Sequence, residues 1–157
     1  MEIPKVNEKV EYYENCKKGL FNKLILFYLK YRYKKLSVLL GFSISPHTFD
    51  YGLNIAHYGD IVINGNSKIG KYCRVHSGVC IGEVSGKAPI IDDEVYIGPG
   101  VKILGGVSIS KGVVLAANSV IVKNIEEKNI TVAGIPCKKI SDNNSNTLLY
   151  NGNINEN

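Results

Sequence analysis

Three histidines are the residues best suited to acid–base chemistry in this chain of 157 residues: His47, His57 and His76. An imidazole binds or releases a proton near neutral pH, so it can act as a general base toward a hydroxyl group. His57 is the informative one, because it lies in NIAHYGDIVIN, six residues before Ile63. It is either a capping histidine or a functional group placed where the local pattern fails. His76 directly follows Val75, so its side chain is predicted to point outward. We interpret His47 and His76 as ordinary surface histidines.

Other common catalytic signatures are absent from the sequence. There is no Gly-x-Ser-x-Gly elbow, no Walker A loop and no dinucleotide fingerprint. Cys16, Cys73, Cys80 and Cys137 form no CxxC pair and have no histidine at a metal-ligand spacing. This pattern favours reduced thiols in a cytoplasmic protein and predicts no metal site. The net charge of +5 suits an anionic ligand, but the basic residues are too dispersed to predict nucleic-acid binding.

The element that must carry His57 is revealed by aliphatic residues at every sixth position. The series is Ile63, Ile69, Val75, Ile81 and, after one interruption, Ile91, Ile97, Ile103, Ile109, Leu115, Ile121. This period fits neither a helix nor a flat strand, but it fits three short strands that close one triangular coil. Each aliphatic side chain would point inward and stack on its equivalent about 4.8 Å away in the next coil. The pattern predicts an all-β fold, a parallel β-helix of hexapeptide repeats.

The repeat is interrupted once and then ends. Ten residues separate Ile81 from Ile91, so four are inserted within GEVSGKAPI, residues 82–90, and must bulge from the coil. Interruptions of solenoids are common places for function. We place the β-helix domain at 43–140. Residues 141–157 are polar and rich in Asn, and we predict a disordered tail there.

Residues 1–42 are predicted to form an N-terminal helical segment. Within 19–40, one helical face carries Leu20, Leu24, Phe27, Tyr28 and Tyr31, and lysines occupy the other face. The interrupting cations exclude a membrane-spanning helix. The apolar face either packs on its own domain or a neighbouring subunit, or lies on an anionic membrane surface as a peripheral contact.

Three segments in order carry a family resemblance: GLNIAHYGDIVINGNSKIGKYCRVHSGVCIG, APIIDDEVYIGPGVKILGGVSISKGVVLAANSVIVKNI and AGIPCKKI. They resemble the hexapeptide-repeat acyltransferases, and most closely the serine acetyltransferase branch with its short relatives in bacterial surface-polysaccharide clusters. The resemblance covers about residues 43–140. It implies a left-handed β-helix, a homotrimer, and acetyl-CoA bound in the groove between neighbouring subunits.

The same resemblance implies roles for individual residues. His57 matches the catalytic histidine, the general base that removes the proton from an acceptor hydroxyl before it attacks the thioester. A backbone N–H at the Gly82–Glu83 corner is the candidate donor to the oxyanion. No acyl-enzyme is implied, so Cys73 and Cys80 need not act as nucleophiles. The candidate acetyl-CoA-binding residues are Gly82, Gly98, Pro99, Ala116, Ala117, Lys123, Pro136 and Lys139. Tyr58 and Lys87 are candidates for contact with the acceptor.

Several family positions depart from the serine enzyme. Ala56 stands where an aspartate precedes the catalytic histidine, Ala88 stands where the inserted loop has a second histidine, and Lys87 replaces an arginine. The groups expected to hold the ammonium of an amino acid are therefore missing. We accordingly predict a sugar hydroxyl of a surface polysaccharide, or of its precursor, as the acceptor. Serine, which would feed cysteine synthesis, is the alternative acceptor, and a non-catalytic β-helix scaffold is a remote alternative.

The carboxylate that would orient His57 is the other departure. The family position falls near Ser43, which is not acidic. Asp50 and Asp60 are the candidate substitutes.

Overall fold

The structure, a computed structural model, describes residues 2–16 and 18–149. Two helices precede a β-helix of about five coils, which confirms the fold class expected from the repeat. The helices are α1 (Glu2–Cys16) and α2 (Leu20–Leu40). The strands are β1 (Phe42–Ile44), β2 (Asn54–Ile55), β3 (Ile61–Ile63), β4 (Lys68–Ile69), β5 (Arg74–Val75), β6 (Cys80–Gly82), β7 (Ile90–Ile91), β8 (Tyr96–Ile97), β9 (Lys102–Leu104), β10 (Ser108–Ile109), β11 (Val114–Leu115), β12 (Val120–Ile121), β13 (Thr131–Ala133) and β14 (Lys138–Ser141).

Three sheets form the faces of a triangular prism. Sheet 1 has the order β1-β3-β6-β9-β12, sheet 2 has β4-β7-β10, and sheet 3 has β2-β5-β8-β11-β13-β14. All pairings are parallel except that of β14, which returns antiparallel to β13. Ile63 pairs with Ile81 and Ile81 with Ile103, so residues one coil apart in the sequence become neighbours in space.

The core is a stack of the predicted aliphatic residues. All ten members of the six-residue series are buried, with exposures of 3% or less. The small or β-branched residues that precede each strand, such as Cys73, Val95 and Ser119, are also buried at the corners. Burial of each Ile, Leu or Val contributes about 1.5–3 kcal/mol, which holds the coils together without a long continuous strand. The prediction that the series points inward is confirmed.

Three edges of the prism separate the sheets. The His57 edge, between sheets 3 and 1, comprises residues 56–60, 76–79, 98–101, 116–119 and 134–137. The hairpin edge, between sheets 1 and 2, comprises 64–67, 82–89, 105–107 and 122–124. The strap edge, between sheets 2 and 3, comprises 50–53, 70–73, 92–95, 110–113 and 126–130.

The inserted residues form a small β-hairpin on the hairpin edge. The backbone N–H groups of Val84 and Lys87 each donate to the other residue's carbonyl, both at 3.1 Å. Ser85 and Gly86 connect them with φ angles of 52° and 73°, the conformation of a two-residue type I′ turn. The predicted bulge is therefore a compact hairpin.

Helix α2 buries a different face from the one that the spacing marks. Leu20, Leu24, Phe27, Tyr28 and Tyr31 have exposures between 59% and 79%, so they do not pack on their own domain, while contact with a neighbouring subunit or a membrane surface stays a prediction. The buried residues are Leu29, Tyr33 and Ser37, four residues apart, and the Tyr33 hydroxyl donates to the carbonyl of Ile44 at 2.8 Å. Leu and Tyr side chains occur on both faces of α2, so their spacing alone does not distinguish the inner face from the outer.

The described part of the tail is a strap along the strap edge. After β14, the Ser145 side chain is buried, and its hydroxyl donates to the carbonyl of Glu94 at 2.5 Å. Further along, the Arg74 guanidinium donates to the carbonyl of Leu148 at 2.9 Å. Residues 141–149 therefore differ from the expected disordered tail. The rest of that tail, 150–157, lies outside the described residues.

Candidate active site

His57 lies at the first coil of the His57 edge, directly after strand β2. Its side chain is exposed. The preceding residue, Ala56, is fixed to the second coil because its N–H donates to the carbonyl of Val75 at 3.0 Å. Two residues later, the N–H of Gly59 donates to the carbonyl of Leu40 at the end of α2, at 3.3 Å. His57 is thus an accessible imidazole on a turn held at both sides by backbone hydrogen bonds.

His76 lies one coil below His57 on the same edge. The ring centroids of His57 and His76 are 5.9 Å apart, and the next coil adds Tyr96, whose ring centroid is 5.0 Å from that of His76. His76 points away from the core, as predicted, but it is half-buried between these rings. We missed its proximity to His57, although the signal was present: the two histidines are 19 residues apart, about one coil.

The surroundings of His76 disfavour its protonated form. Burial lowers the pKa of His76 below its usual value, and the nearby Arg74 and His57 lower it further. The Nε2 atom of His76 is buried without a hydrogen-bond partner. A positive charge on His76 is therefore unfavourable, and His76 contributes a neutral ring at neutral pH.

The expected carboxylate partner of His57 is not found among residues 2–16 and 18–149. Ser43 is exposed on sheet 1 and pairs with Val62. Asp50 lies on the strap edge, and its carboxylate accepts from the N–H of Tyr51 at 2.8 Å, so it cannot orient His57 within one protomer. Asp60 lies on the same edge as His57. Its backbone carbonyl accepts a hydrogen bond from the N–H of Gly78 at 2.6 Å.

Small residues continue the His57 edge toward the last coil. Gly98 and Ala116 occupy the register of Ala56 and His76 on the third and fourth coils, and Pro99 and Ala117 follow them. A Cβ atom on Gly98 would lie 2.6 Å from the carbonyl oxygen of Leu115, so this position admits no side chain. The four predicted positions therefore form a strip without large side chains, below the imidazole rings.

The remaining predicted residues fall on another edge. Gly82, Lys87 and Lys123 lie on the hairpin edge, which is separated from the His57 edge by the width of sheet 1. The carbonyl of Gly82 accepts from the N–H of Gly105 at 2.9 Å. One protomer thus does not bring these residues to His57. Tyr58, in contrast, is exposed directly beside it.

Two of the residues predicted to bind acetyl-CoA, Pro136 and Lys139, lie near the end of the β-helix. Pro136 is exposed on the last coil of the His57 edge. The Lys139 ammonium is paired with Glu127 at 2.5 Å and Asp142 at 2.6 Å, and these carboxylates raise its pKa. Lys139 is therefore an ion-paired cation, and its contact with acetyl-CoA stays a prediction.

Two other side chains that could react, His47 and Cys73, are held by contacts within the fold. His47 binds Glu14 at 2.6 Å, and Glu14 also binds Lys30, so these groups connect α1, α2 and the first coil. All four cysteines are free thiols, and burial raises the pKa of Cys73 to about 12, which removes it as a nucleophile. Across the described ranges no cluster of three His, Cys, Asp or Glu side chains could hold a metal ion.

This fold and edge define a class of protein: the hexapeptide-repeat β-helix with an accessible histidine on a corner. The chain is similar to the serine acetyltransferase of Synechococcus elongatus, with 33% identity over 108 residues, which covers 66% of this chain and 44% of that protein. No protein-family model matches the chain.

Solved structures of serine acetyltransferases have a similar fold. A serine acetyltransferase in complex with CoA superimposes with a TM-score of 0.68 and 25% identity, covering 88% of this chain and 55% of that one. The Neisseria gonorrhoeae serine acetyltransferase in complex with serine gives 0.64 and 26%, covering 87% of this chain and 54% of that one.

The chain is a left-handed parallel β-helix protein of the hexapeptide-repeat class, and it is a homologue of the serine acetyltransferases. It spans about half the length of the curated relatives that it matches.

Proposed function

We propose that this protein transfers an acetyl group from acetyl-CoA to a hydroxyl group. The observation that carries the proposal is the position of His57: an exposed imidazole at the end of a strip of small residues, on the fold of acetyltransferases. A solved relative on this fold binds CoA. The thioester arm of acetyl-CoA needs a path along the backbone, and the strip from Gly98 to Ala117 supplies one without obstruction by side chains.

The reaction proceeds by direct transfer. His57 removes the proton of the acceptor hydroxyl as its oxygen attacks the thioester carbonyl, and a tetrahedral oxyanion forms. The C–S bond then breaks, the acetyl ester remains on the acceptor, and the protonated His57 returns its proton to the CoA thiolate. The neutral ring of His76 suits this cycle, because a cation there would disfavour the transient charge on His57.

We further propose that the active site is completed by a neighbouring copy in a homotrimer. The basis is the separation of the predicted residues over two edges of one prism. A neighbour whose hairpin edge faces the His57 edge would bring Gly82, Lys87 and Lys123 to the acetyl-CoA groove. Lys123 would then lie within reach of the nucleotide phosphates, which attract cations.

Serine is the acceptor that the relatives support better than a polysaccharide hydroxyl. A sugar hydroxyl is the second candidate because Ala56, beside His57, offers no carboxylate for an ammonium group. Ala88 likewise offers no imidazole. The structure adds that His76, the ring next to His57 in the following coil, is kept neutral by its surroundings, so it offers no negative charge for an ammonium group either. Free thiols and the use of acetyl-CoA support a cytoplasmic site of action.

An acceptor panel tests the proposal. The full chain is incubated with acetyl-CoA and either L-serine or a set of free and nucleotide-linked sugars, and CoA release is measured by chromatography. Turnover with serine at ordinary enzyme rates, about 1–10³ s⁻¹, supports serine. Turnover confined to a sugar reverses the order of acceptors. Failure of every hydroxyl acceptor, with acetyl-CoA bound, contradicts the proposed activity.

A further inference from the structure

The outer face of α2 is an exposed apolar stripe, which we call the α2 face. It consists of Leu20, Phe21, Leu24, Phe27, Tyr28, Tyr31, Val38 and Leu39, all at least 59% exposed. On a helical wheel these side chains occupy a continuous sector opposite the buried Leu29 and Tyr33. Nothing in the described part of the chain covers this face. Contiguous exposed apolar surface of this kind marks an interaction site.

The charges around the α2 face identify its partner. Helix α2 contains Lys23, Lys30, Arg32, Lys34 and Lys35, all of them exposed, and no acidic residue. On the wheel, Lys23, Lys30 and Lys34 border one side of the stripe, Arg32 borders the other, and Lys35 lies within it. An apolar stripe bordered by cations complements the surface of an anionic bilayer, where acyl chains meet negative headgroups. An apolar protein surface would match the stripe but would not match the exposed cations Lys23, Lys34 and Lys35 beside it.

The position of the helix relative to His57 suits such a surface. The exposed Val38 and Leu39 lie at the end of α2. The next residue, Leu40, accepts the hydrogen bond from Gly59 in the turn that carries His57. The last turn of the α2 face thus adjoins the edge proposed to be catalytic. No described helix is long and apolar enough to cross a bilayer.

We propose that the α2 face docks this protein on an anionic lipid bilayer, with α2 lying in the plane of the interface. The apolar side chains enter the boundary between headgroups and acyl chains, and the bordering cations contact lipid phosphates. The docking itself does not depend on the proposed acetyl transfer. Where both hold, the α2 face would bring His57 close to acceptors that reside at the membrane.

Vesicle co-sedimentation with the full chain tests the docking. We expect binding to vesicles containing 30% phosphatidylglycerol in phosphatidylcholine, and at least tenfold weaker binding to pure phosphatidylcholine. The double variant Leu24→Glu/Phe27→Glu removes apolar contact and adds negative charge, so its partition coefficient should fall at least tenfold. The control Ile135→Glu/Ile140→Glu changes two exposed apolar residues of the β-helix and should bind like the wild type.

A second variant tests the contribution of charge apart from that of apolar contact. The oligomeric state tests whether the α2 face binds a membrane or another copy of the protein. Lys34→Gln/Lys35→Gln should weaken binding to anionic vesicles about tenfold or more, and binding should weaken as salt rises.

Light scattering of Leu24→Glu/Phe27→Glu should give the wild-type mass. The proposal is overturned if the wild type ignores anionic vesicles, or if this variant loses its oligomeric state, since the α2 face would then be a contact between copies. CoA release with a soluble acceptor should be unchanged in Leu24→Glu/Phe27→Glu, so failure of docking is distinguishable from failure of acetyl transfer.

Discussion

The imidazole of His76 lies one coil beneath that of His57, with the ring centroids 5.9 Å apart. The parallel register pairs Ile55 with Val75 and so places His76 beneath Ala56, the residue next to His57. His57 is exposed, whereas His76 is half-buried and contacts Tyr96. The two histidines therefore differ in surroundings: the ring of His57 is open to solvent, and the ring of His76 is packed between two other rings.

The first prediction concerns the stability of the protein at acidic pH. Burial, followed by Arg74 and His57, lowers the pKa of folded His76 below the value of about 6.5 expected when unfolded. Between these two pKa values the unfolded state binds more protons, so stability falls as pH decreases below about 6.5. His76→Gln should flatten this dependence, and thermal unfolding at pH 7.5 and pH 5.5 measures it. An equally steep loss in the variant would show that His76 does not contribute.

Much of the fold could be predicted because the six-residue period is a direct consequence of inward-facing residues. Two features could not. The inner face of α2 was missed because Leu and Tyr residues occur on both faces of the helix, and only packing selects Leu29 and Tyr33 as the buried ones. The strap was missed because its polar composition does not reveal Ser145, whose partners, Glu94 and Gly112, lie on two different coils.

Part of the candidate site could be predicted from the sequence, and part depends on how distant segments fold together. His57 and the strip from Gly98 to Ala117 lie on one edge, in agreement with the resemblance, and their roles stay predictions. The pairing of Lys139 with Glu127 and Asp142 was not foreseen, because it depends on how the last strand folds back.

The second prediction concerns the general base. His57→Ala should lower turnover at least a hundredfold, since a general base contributes about 10²- to 10⁴-fold. Affinity for acetyl-CoA should change little, because His57 acts on the acceptor. Steady-state CoA release, with acetyl-CoA affinity measured by calorimetry, checks both statements. His47→Ala serves as the control, because His47 is paired with Glu14 away from the His57 edge, and its turnover should stay within about threefold. Unchanged turnover in His57→Ala would remove this residue from the mechanism.

The third prediction concerns Gly98, where backbone atoms of the next coil leave no room for a side chain. A Cβ atom there would lie 2.6 Å from the carbonyl oxygen of Leu115, so Gly98→Ala should lower the free energy of unfolding by about 1–3 kcal/mol. In Gly82→Ala the added Cβ would meet only the end of the Leu104 side chain at 3.1 Å, which can shift. Denaturant unfolding of both variants measures the difference, and equal losses would contradict the stated cause.

The fourth prediction concerns thiol reactivity. Only a thiolate attacks alkylating reagents, and burial raises the pKa of Cys73 to about 12, so Cys73 should stay unmodified in the native protein at pH 8. The exposed Cys16 should react readily. Peptide mass spectrometry after iodoacetamide treatment identifies the modified residues. Prompt labelling of Cys73 without unfolding would mean that the coil opens locally more than its packing suggests.

The central claim is that His57 faces the thioester of acetyl-CoA in a groove formed with a neighbouring copy. A crystal structure of the full chain with CoA tests it most directly. We expect the sulfur near the His57 imidazole, the pantetheine arm along Gly98 and Ala116, and the hairpin of a second protomer across the groove. A structure in which CoA binds away from the His57 edge, with this ring turned from the sulfur, would contradict the account.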